Sequence, residues 1–351
     1  MRRFLLKVSI FAAYAILMSV IIPVCVDPFN VFHWDNIRAN GVGPNKNYVK
    51  MKYILANPGK YDSFLFGSSR VGAIHTDKIT TGEKCYNMDY SIGLPGWHLL
   101  NIKTMLKNNI RPNKIYIGVD SISYTGNYSR QINEAMRCPY EYLRNNIAHF
   151  IWLYFDPGMV VRSLNVMTKD KRGKIEVIST ESFYKYGWND FHDELEKIFN
   201  WNDKYKVFPR FGSEEAKADI DTALKYLREI SDICRENDIK LIIFTNPMHR
   251  ITYLASVRDK NYFRFLEGLA EISDFWNFSS LNDITMNNAN YHEPSHYRAE
   301  VGDVMIDIMC NGKSYPELQA QGFDVKVTRE NAKDFINMLR RQVEDYEQSH
   351  Q

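Results

Sequence analysis

At 351 residues the chain is long enough for one large domain or two ordinary ones. Basic and acidic residues nearly balance, for a formal net charge of +2, so no charge run marks nucleic acid or an acidic surface as a partner. Five cysteines lie far apart with no C-x-x-C pair and no metal-ligand spacing, which leaves no disulfide framework, metal site or cofactor motif to read.

The first seven residues are basic, with Arg2, Arg3 and Lys7, and residues 8–26 are almost wholly apolar. That run is about long enough to cross a bilayer. A cleaved signal peptide is the rival reading, but its apolar core is usually roughly 7–15 residues. The small-x-small triplet Ala13-Tyr14-Ala15 also falls in the middle of the run. Residues 1–26 are therefore read as an uncleaved anchor lodged in the lipid bilayer through residues 8–26. The basic flank stays in the cytoplasm by the positive-inside rule, and the main domain lies in the periplasm or extracytoplasmic space of a cytoplasmic-membrane protein.

Residues 27–60 form a polar connection rich in Asn, Gly and Pro, with a short helix at 48–55. Residues 61–351 follow as an α/β domain. Residues 63–66 (SFLF) read as a short buried strand, and Gly67 breaks it just before Ser68, Ser69 and Arg70. A hydroxyl past a strand's carboxyl end sits where open parallel sheets place their ligand crevice. A small residue ahead of it lets the backbone turn sharply and expose the side chain. The plainer reading is a serine-rich loop that caps the next helix.

Residues 85–88 read as a second strand ending in DYSIGLPG, and 97–108 as a helix with Leu99, Leu100, Ile102 and Met105 on one side. A third strand at 114–119 (KIYIGV) ends at Asp120. The aromatic-rich segment 124–210 breaks the alternation and is read as an insertion, part helical, over the site or beside the membrane. A long amphipathic helix at 214–237 resumes it. A fourth strand at 240–244 exits through TNPMHR, which holds Asn246 and His249; His249 either lines the site or caps the loop. A helix at 262–272 and a strand at 274–278 follow. Residues 291–297 (YHEPSHY) are expected to open a helix whose buried stripe is Val301, Val304, Met305, Ile308 and Met309, and a last helix is expected with Thr328 as its N-cap. Strands separated by helices argue for a parallel sheet with helices on both faces.

Glu293 and His296 are spaced E-x-x-H. A serine nucleophile needs a base that accepts its proton near neutral pH, and histidine serves when a carboxylate fixes its tautomer and stabilises the imidazolium. The same stretch, HEPSH from His292 to His296, also fits the zinc-protease pattern H-E-x-x-H. That motif needs both histidines on one continuous helix, and Pro294 pushes the residue before it out of the helical region, so zinc is not expected.

The order of these blocks (GSSR at 67–70, NMDYSIG at 87–93, IGVDS at 117–121 and EPSH at 293–296) resembles the SGNH/GDSL hydrolase superfamily. More narrowly, the chain is similar to membrane-anchored SGNH proteins of teichoic-acid D-alanylation and alginate O-acetylation. The resemblance implies a three-layer α/β/α sandwich with a mainly parallel, flavodoxin-like sheet. It implies Ser69 as nucleophile, His296 as base and Glu293 in place of the usual Asp, with oxyanion donors from the backbone of Ser69 and Gly93. It also implies an esterase or O-acyltransferase acting on a cell-envelope glycan or its acyl carrier, with a multi-spanning membrane acyltransferase as a possible partner and no cofactor. Asn246, Arg70 and Asp120 belong to the expected oxyanion or substrate region. Two departures stand out. Asp120 occupies the place of an oxyanion-hole Asn, where an ionised carboxylate would repel developing charge unless Arg70 offsets it, and Glu293 is one methylene longer than Asp. Asp120 favours the rival reading, a non-catalytic SGNH-like protein that binds a glycan or assists a membrane-bound acyltransferase.

Overall fold

A computed structural model describes residues 1–37, 42–168, 180–188, 219–258 and 261–350. The chain folds as an α/β protein on a six-stranded sheet: β1 (Ser63–Phe66), β2 (Cys85–Asn87), β3 (Lys114–Val119), β4 (Lys240–Thr245), β5 (Phe275–Asn277) and an edge strand, Val325–Val327. The spatial order is β2-β1-β3-β4-β5-edge. Every pairing is parallel except the last, where Phe275 faces Val327 across an antiparallel ladder. The expected parallel alternation is present; this antiparallel edge strand, only three residues long, was not read from the sequence.

All four residues of β1 are buried, as a central parallel strand covered on both faces requires. Alternate strand residues enter different cores. Phe64, Phe66, Ile115 and Ile117 join one with the helices Pro95–Lys107, Ile220–Glu236, Asn261–Ala270 and Ala332–Ser349. Leu65, Tyr116 and Phe244 join the other with Val301, Met305 and Ile308 of the helix Ala299–Met309. The helix Ile220–Glu236 shows why such segments are helical: Ile220, Ala223, Leu227, Ile230 and Cys234 form one buried stripe, and Asp219 caps it by accepting from the Thr222 amide. The first residues of that expected helix, 214–218, lie outside the described residues.

Two expectations are corrected. Residues 291–297 do not open a helix. They form a two-stranded hairpin, β6 (Tyr291–Glu293) and β7 (His296–Tyr297), with Pro294 and Ser295 in its turn, and the helix begins at Ala299. The last helix begins at Ala332, and Thr328 lies ahead of its N-cap, Asn331, whose side chain accepts from the Thr328 amide. The short helix expected in the connection is Lys46–Ala56, and it buries Val49, Met51 and Ile54. Of the insertion, residues 169–179 and 189–210 lie outside the described residues; the remainder is mainly short helices, including Ile147–Tyr154 and Pro157–Thr168. All five cysteines are free thiols.

Among the described residues one helix, Arg2–Val26, is long and apolar enough to cross a membrane. Its C-cap, Asp27, takes a left-handed conformation, and its carboxylate accepts the backbone amides of Val31, Phe32 and His33 at 2.7–2.9 Å. That turn carries the chain from the helix into residues 28–33.

Candidate active site

In a sheet ordered 2-1-3-4-5, the strand order reverses between the parallel neighbours β1 and β3, and the ligand crevice opens at their carboxyl ends. Ser69 follows β1 there, Asp120 follows β3 and Asn246 follows β4. The turn after β1 is tight: a Cβ at Gly67 would lie 2.6 Å from Val71 Cγ1. Gly93, in the loop after β2, lies against this turn, where a Cβ would come 2.2 Å from the Gly67 carbonyl oxygen and 2.9 Å from the Ser68 nitrogen. Only glycine lets these two backbones approach so closely.

The hairpin after β5 reaches over the same edge. Ser69 Oγ is 2.8 Å from His296 Nε2. His296 Nδ1 in turn bonds the Glu293 carboxylate. A carboxylate only accepts, so Nδ1 carries the ring proton and Nε2 is the acceptor for the Ser69 hydroxyl. The second Glu293 oxygen accepts from the Ser295 amide at 2.8 Å. Burial pushes the Glu293 carboxyl up, but the His296 hydrogen bond and charge, the Ser295 amide and the nearby Arg70 outweigh it and hold the group below the ordinary glutamate value. The extra methylene of Glu293 relative to Asp is absorbed in the hairpin turn: Glu293 and His296 face each other across β6 and β7.

Arg70, Asp120 and Asn246 lie beneath this surface. Arg70 Nη1 is 2.6 Å from Asp120 Oδ1, with both side chains only 1% exposed. Asp120 Oδ2 accepts the Asn246 amide at 2.9 Å, and the Ile122 amide binds Oδ1 at 2.8 Å. The other edge of the guanidinium holds the hairpin, with Nε donating to the Ser295 carbonyl at 2.9 Å. Arg70 therefore ties the residue after the serine to the turn that carries the histidine. The Asp120 carboxylate is consumed by buried partners, and Asn246 is a buried brace that also accepts from Tyr297 Oη at 3.2 Å. Neither the Ser69 nor the Gly93 backbone N–H donates a hydrogen bond among the described residues.

Ser69 and His296 open on a cavity of about 270 Å³ whose other walls are Gly43, Pro44, Lys46, Ser91 and Met136. These wall residues come from the connection, the loop after β2 and the insertion, and sequence reasoning missed most of them because nothing local marks them. The same holds for Ser295. His249 caps the helix Arg250–Val257: Nδ1 accepts from the Ile251 amide and Nε2 bonds Asn288 Oδ1 at 3.0 Å. Burial lowers its pKa to about 4. His292 sits in β6, not on a helix with His296, so the zinc-protease geometry is not formed. No group of residues suited to a metal ion occurs among the described residues.

No protein-family model matches this sequence, and comparison with curated proteins finds no match.

Proposed function

We propose that the chain is a membrane-anchored, extracytoplasmic serine esterase or O-acyltransferase of SGNH type, built as a three-layer α/β/α sandwich and acting on a cell-envelope glycan or its acyl donor. One observation carries the reading: a serine hydroxyl at the switch point of a parallel sheet is hydrogen-bonded to a histidine whose far nitrogen is held by a buried carboxylate. The apolar helix Arg2–Val26 and its basic flank support the anchored topology.

In this reading Ser69 Oγ attacks the ester carbonyl of an acyl donor while His296 Nε2 takes its proton. Glu293 stabilises the imidazolium so formed, and the Ser69 and Gly93 amides donate to the oxyanion. The imidazolium returns the proton to the leaving oxygen, which leaves Ser69 acylated. An acceptor hydroxyl, from water or from a sugar, then loses its proton to His296, attacks the acyl group and frees Ser69. Hydrolysis and transfer differ only in that acceptor. The Arg70–Asp120 ion pair supports catalysis over the binding-protein alternative, because it neutralises the carboxylate that would otherwise oppose an oxyanion.

The test is a fluorophosphonate probe on the detergent-solubilised full chain. The expected result is one adduct, on the peptide bearing Ser69, absent in Ser69→Ala and in His296→Ala. A folded protein that takes up no probe would transfer the assignment to a non-catalytic glycan-binding or acyltransferase-assisting protein, the reading that Asp120 by itself favours.

A further inference from the structure

Outside the helix Arg2–Val26, the exposed large hydrophobic side chains among the described residues are Ile147, Ile151, Trp152, Val161, Leu164 and Met167. All six lie on two consecutive helices of the insertion, Ile147–Tyr154 and Pro157–Thr168. A soluble surface scatters such residues singly; a contiguous set marks contact with something apolar. Between residues 147 and 168 the charged residues are Asp156 and Arg162. Both are engaged: Asp156 accepts from the Met159 amide at the head of the second helix, and Arg162 lies over the Phe29 ring at 5.3 Å.

The helix Pro157–Thr168 packs against the helix Arg2–Val26. The covered part of that helix is its carboxyl-terminal third, where Met18, Ile22, Pro23 and Val24 are partly or fully shielded while residues 1–17 are exposed. If residues 8–26 cross a bilayer, those residues lie within the apolar layer, and a helix packed on them shares their depth. Twelve residues rise about 18 Å, enough to enter one leaflet of a core about 30 Å thick but not to cross it. Trp152, at the end of the preceding helix, then falls at the depth where tryptophan collects.

We propose that residues 147–168 are a second membrane-contacting element: a helical pair that dips into the leaflet on the domain's side, beside the anchor, with Val161, Leu164 and Met167 against lipid acyl chains. The occupant is the bilayer that holds the anchor, because the apolar face is continuous with the anchor and nearly free of charge. Two attachments prevent the domain from swinging about a single helix. The active-site cavity, walled by Gly43 and Pro44 from the connection and by Met136 just ahead of this pair, is thereby held at a set height over the membrane. This inference rests on the anchored topology and is independent of whether Ser69 is acylated.

The experiment uses the full chain, with Cys25→Ser and Cys310→Ala, reconstituted in vesicles of mixed zwitterionic and anionic phospholipid. Single spin labels are placed at Val161→Cys, Leu164→Cys or Met167→Cys, with Phe11→Cys in the anchor and Lys225→Cys on the exposed face of Ile220–Glu236 as references. Collision with oxygen, which enriches in lipid, is compared with collision with a water-soluble nickel complex. Positions 161, 164 and 167 should favour oxygen, as position 11 does, while position 225 favours nickel. Nickel preference at the three positions with oxygen preference at 11 overturns the inference and leaves the anchor standing. Nickel preference at 11 as well removes the anchor and the inference with it. Exclusion of both reagents at 164 and 167 means a protein covers them, and also overturns it.

Discussion

Glu293 has two tasks that separate by pH. Its carboxylate orients His296, and its ionised form is favoured by the fold. Because its folded pKa lies below the unfolded value of 4.5, the stability it contributes is fully present above pH 4.5 and drains away as pH falls through the lower folded value. Glu293→Gln cannot titrate. The stability gap between wild type and Glu293→Gln should therefore be constant at neutral pH and close below about pH 4.5, read by denaturant unfolding across that range. On the proposed serine-esterase or acyltransferase reading, Ser69→Ala and His296→Ala should each lower kcat by about four orders of magnitude or more, with Glu293→Gln retaining at least about tenfold more activity than either. Equal losses for all three would mean that the glutamate does more than orient the ring. The sequence named Arg70 as the residue that could offset Asp120, and their 2.6 Å separation and joint burial meet that condition.

At the scale of elements, the hairpin β6–β7 is the part that places His296 over Ser69. It has only a two-residue second strand, too little to hold itself. Its position comes from clamps: Tyr291 Oη to the Pro247 carbonyl at 3.0 Å, Arg70 to Ser295, and Thr252 Oγ1 to the Pro294 carbonyl at 2.5 Å. Thr252→Val keeps the shape and removes the last of these. It should cost about 1–2 kcal/mol in thermal unfolding and lower kcat more than it raises KM, since the His296 ring loses its set position. An unchanged kcat at reduced stability would show that the other two clamps suffice. Pro294 was enough to argue against a continuous helix here, but reading a helix opening at residue 291 ignored it. The proline stops a helix, and Tyr291, His292 and Glu293, all buried, form the first strand of the hairpin.

For the whole molecule, a buried ion cluster joins three distant segments. Lys50, on the helix Lys46–Ala56, is fully buried and donates to Asp89 Oδ1 at 2.5 Å, the Asn87 carbonyl at 2.8 Å and the Gly187 carbonyl at 2.6 Å. Lys46 bonds the other Asp89 oxygen at 2.7 Å. Burial lowers the Lys50 pKa to about 8, opposed by Asp89. The connection, the loop after β2 that carries Gly93 and the described end of the insertion are thus fastened at one point. Lys50→Met should destabilise by about 3 kcal/mol or more, because it strands two buried carbonyls and the Oδ1 of Asp89, leaving Lys46 to hold that carboxylate. Limited proteolysis should reach the insertion sooner in the variant; unaltered cleavage with a lowered Tm would confine the effect to the connection.

The amino-acid sequence by itself determined what depends on neighbours within a few residues. The apolar run of Arg2–Val26, the strands β1, β3 and β4, the amphipathic stripe of Ile220–Glu236 and the E-x-x-H spacing are all local burial or reach, written in period and residue type. Tertiary structure decided what depends on chain crossings. Sheet order sets β3 beside β1, which brings Asp120 to Arg70. The hairpin returns over that edge, which closes 227 positions of sequence to one hydrogen bond between Ser69 and His296. The connection and the insertion, which locally read as a polar link with one short helix and a part-helical insertion, wall the cavity and bury Lys50 because burial belongs to the surfaces that meet and not to either sequence alone.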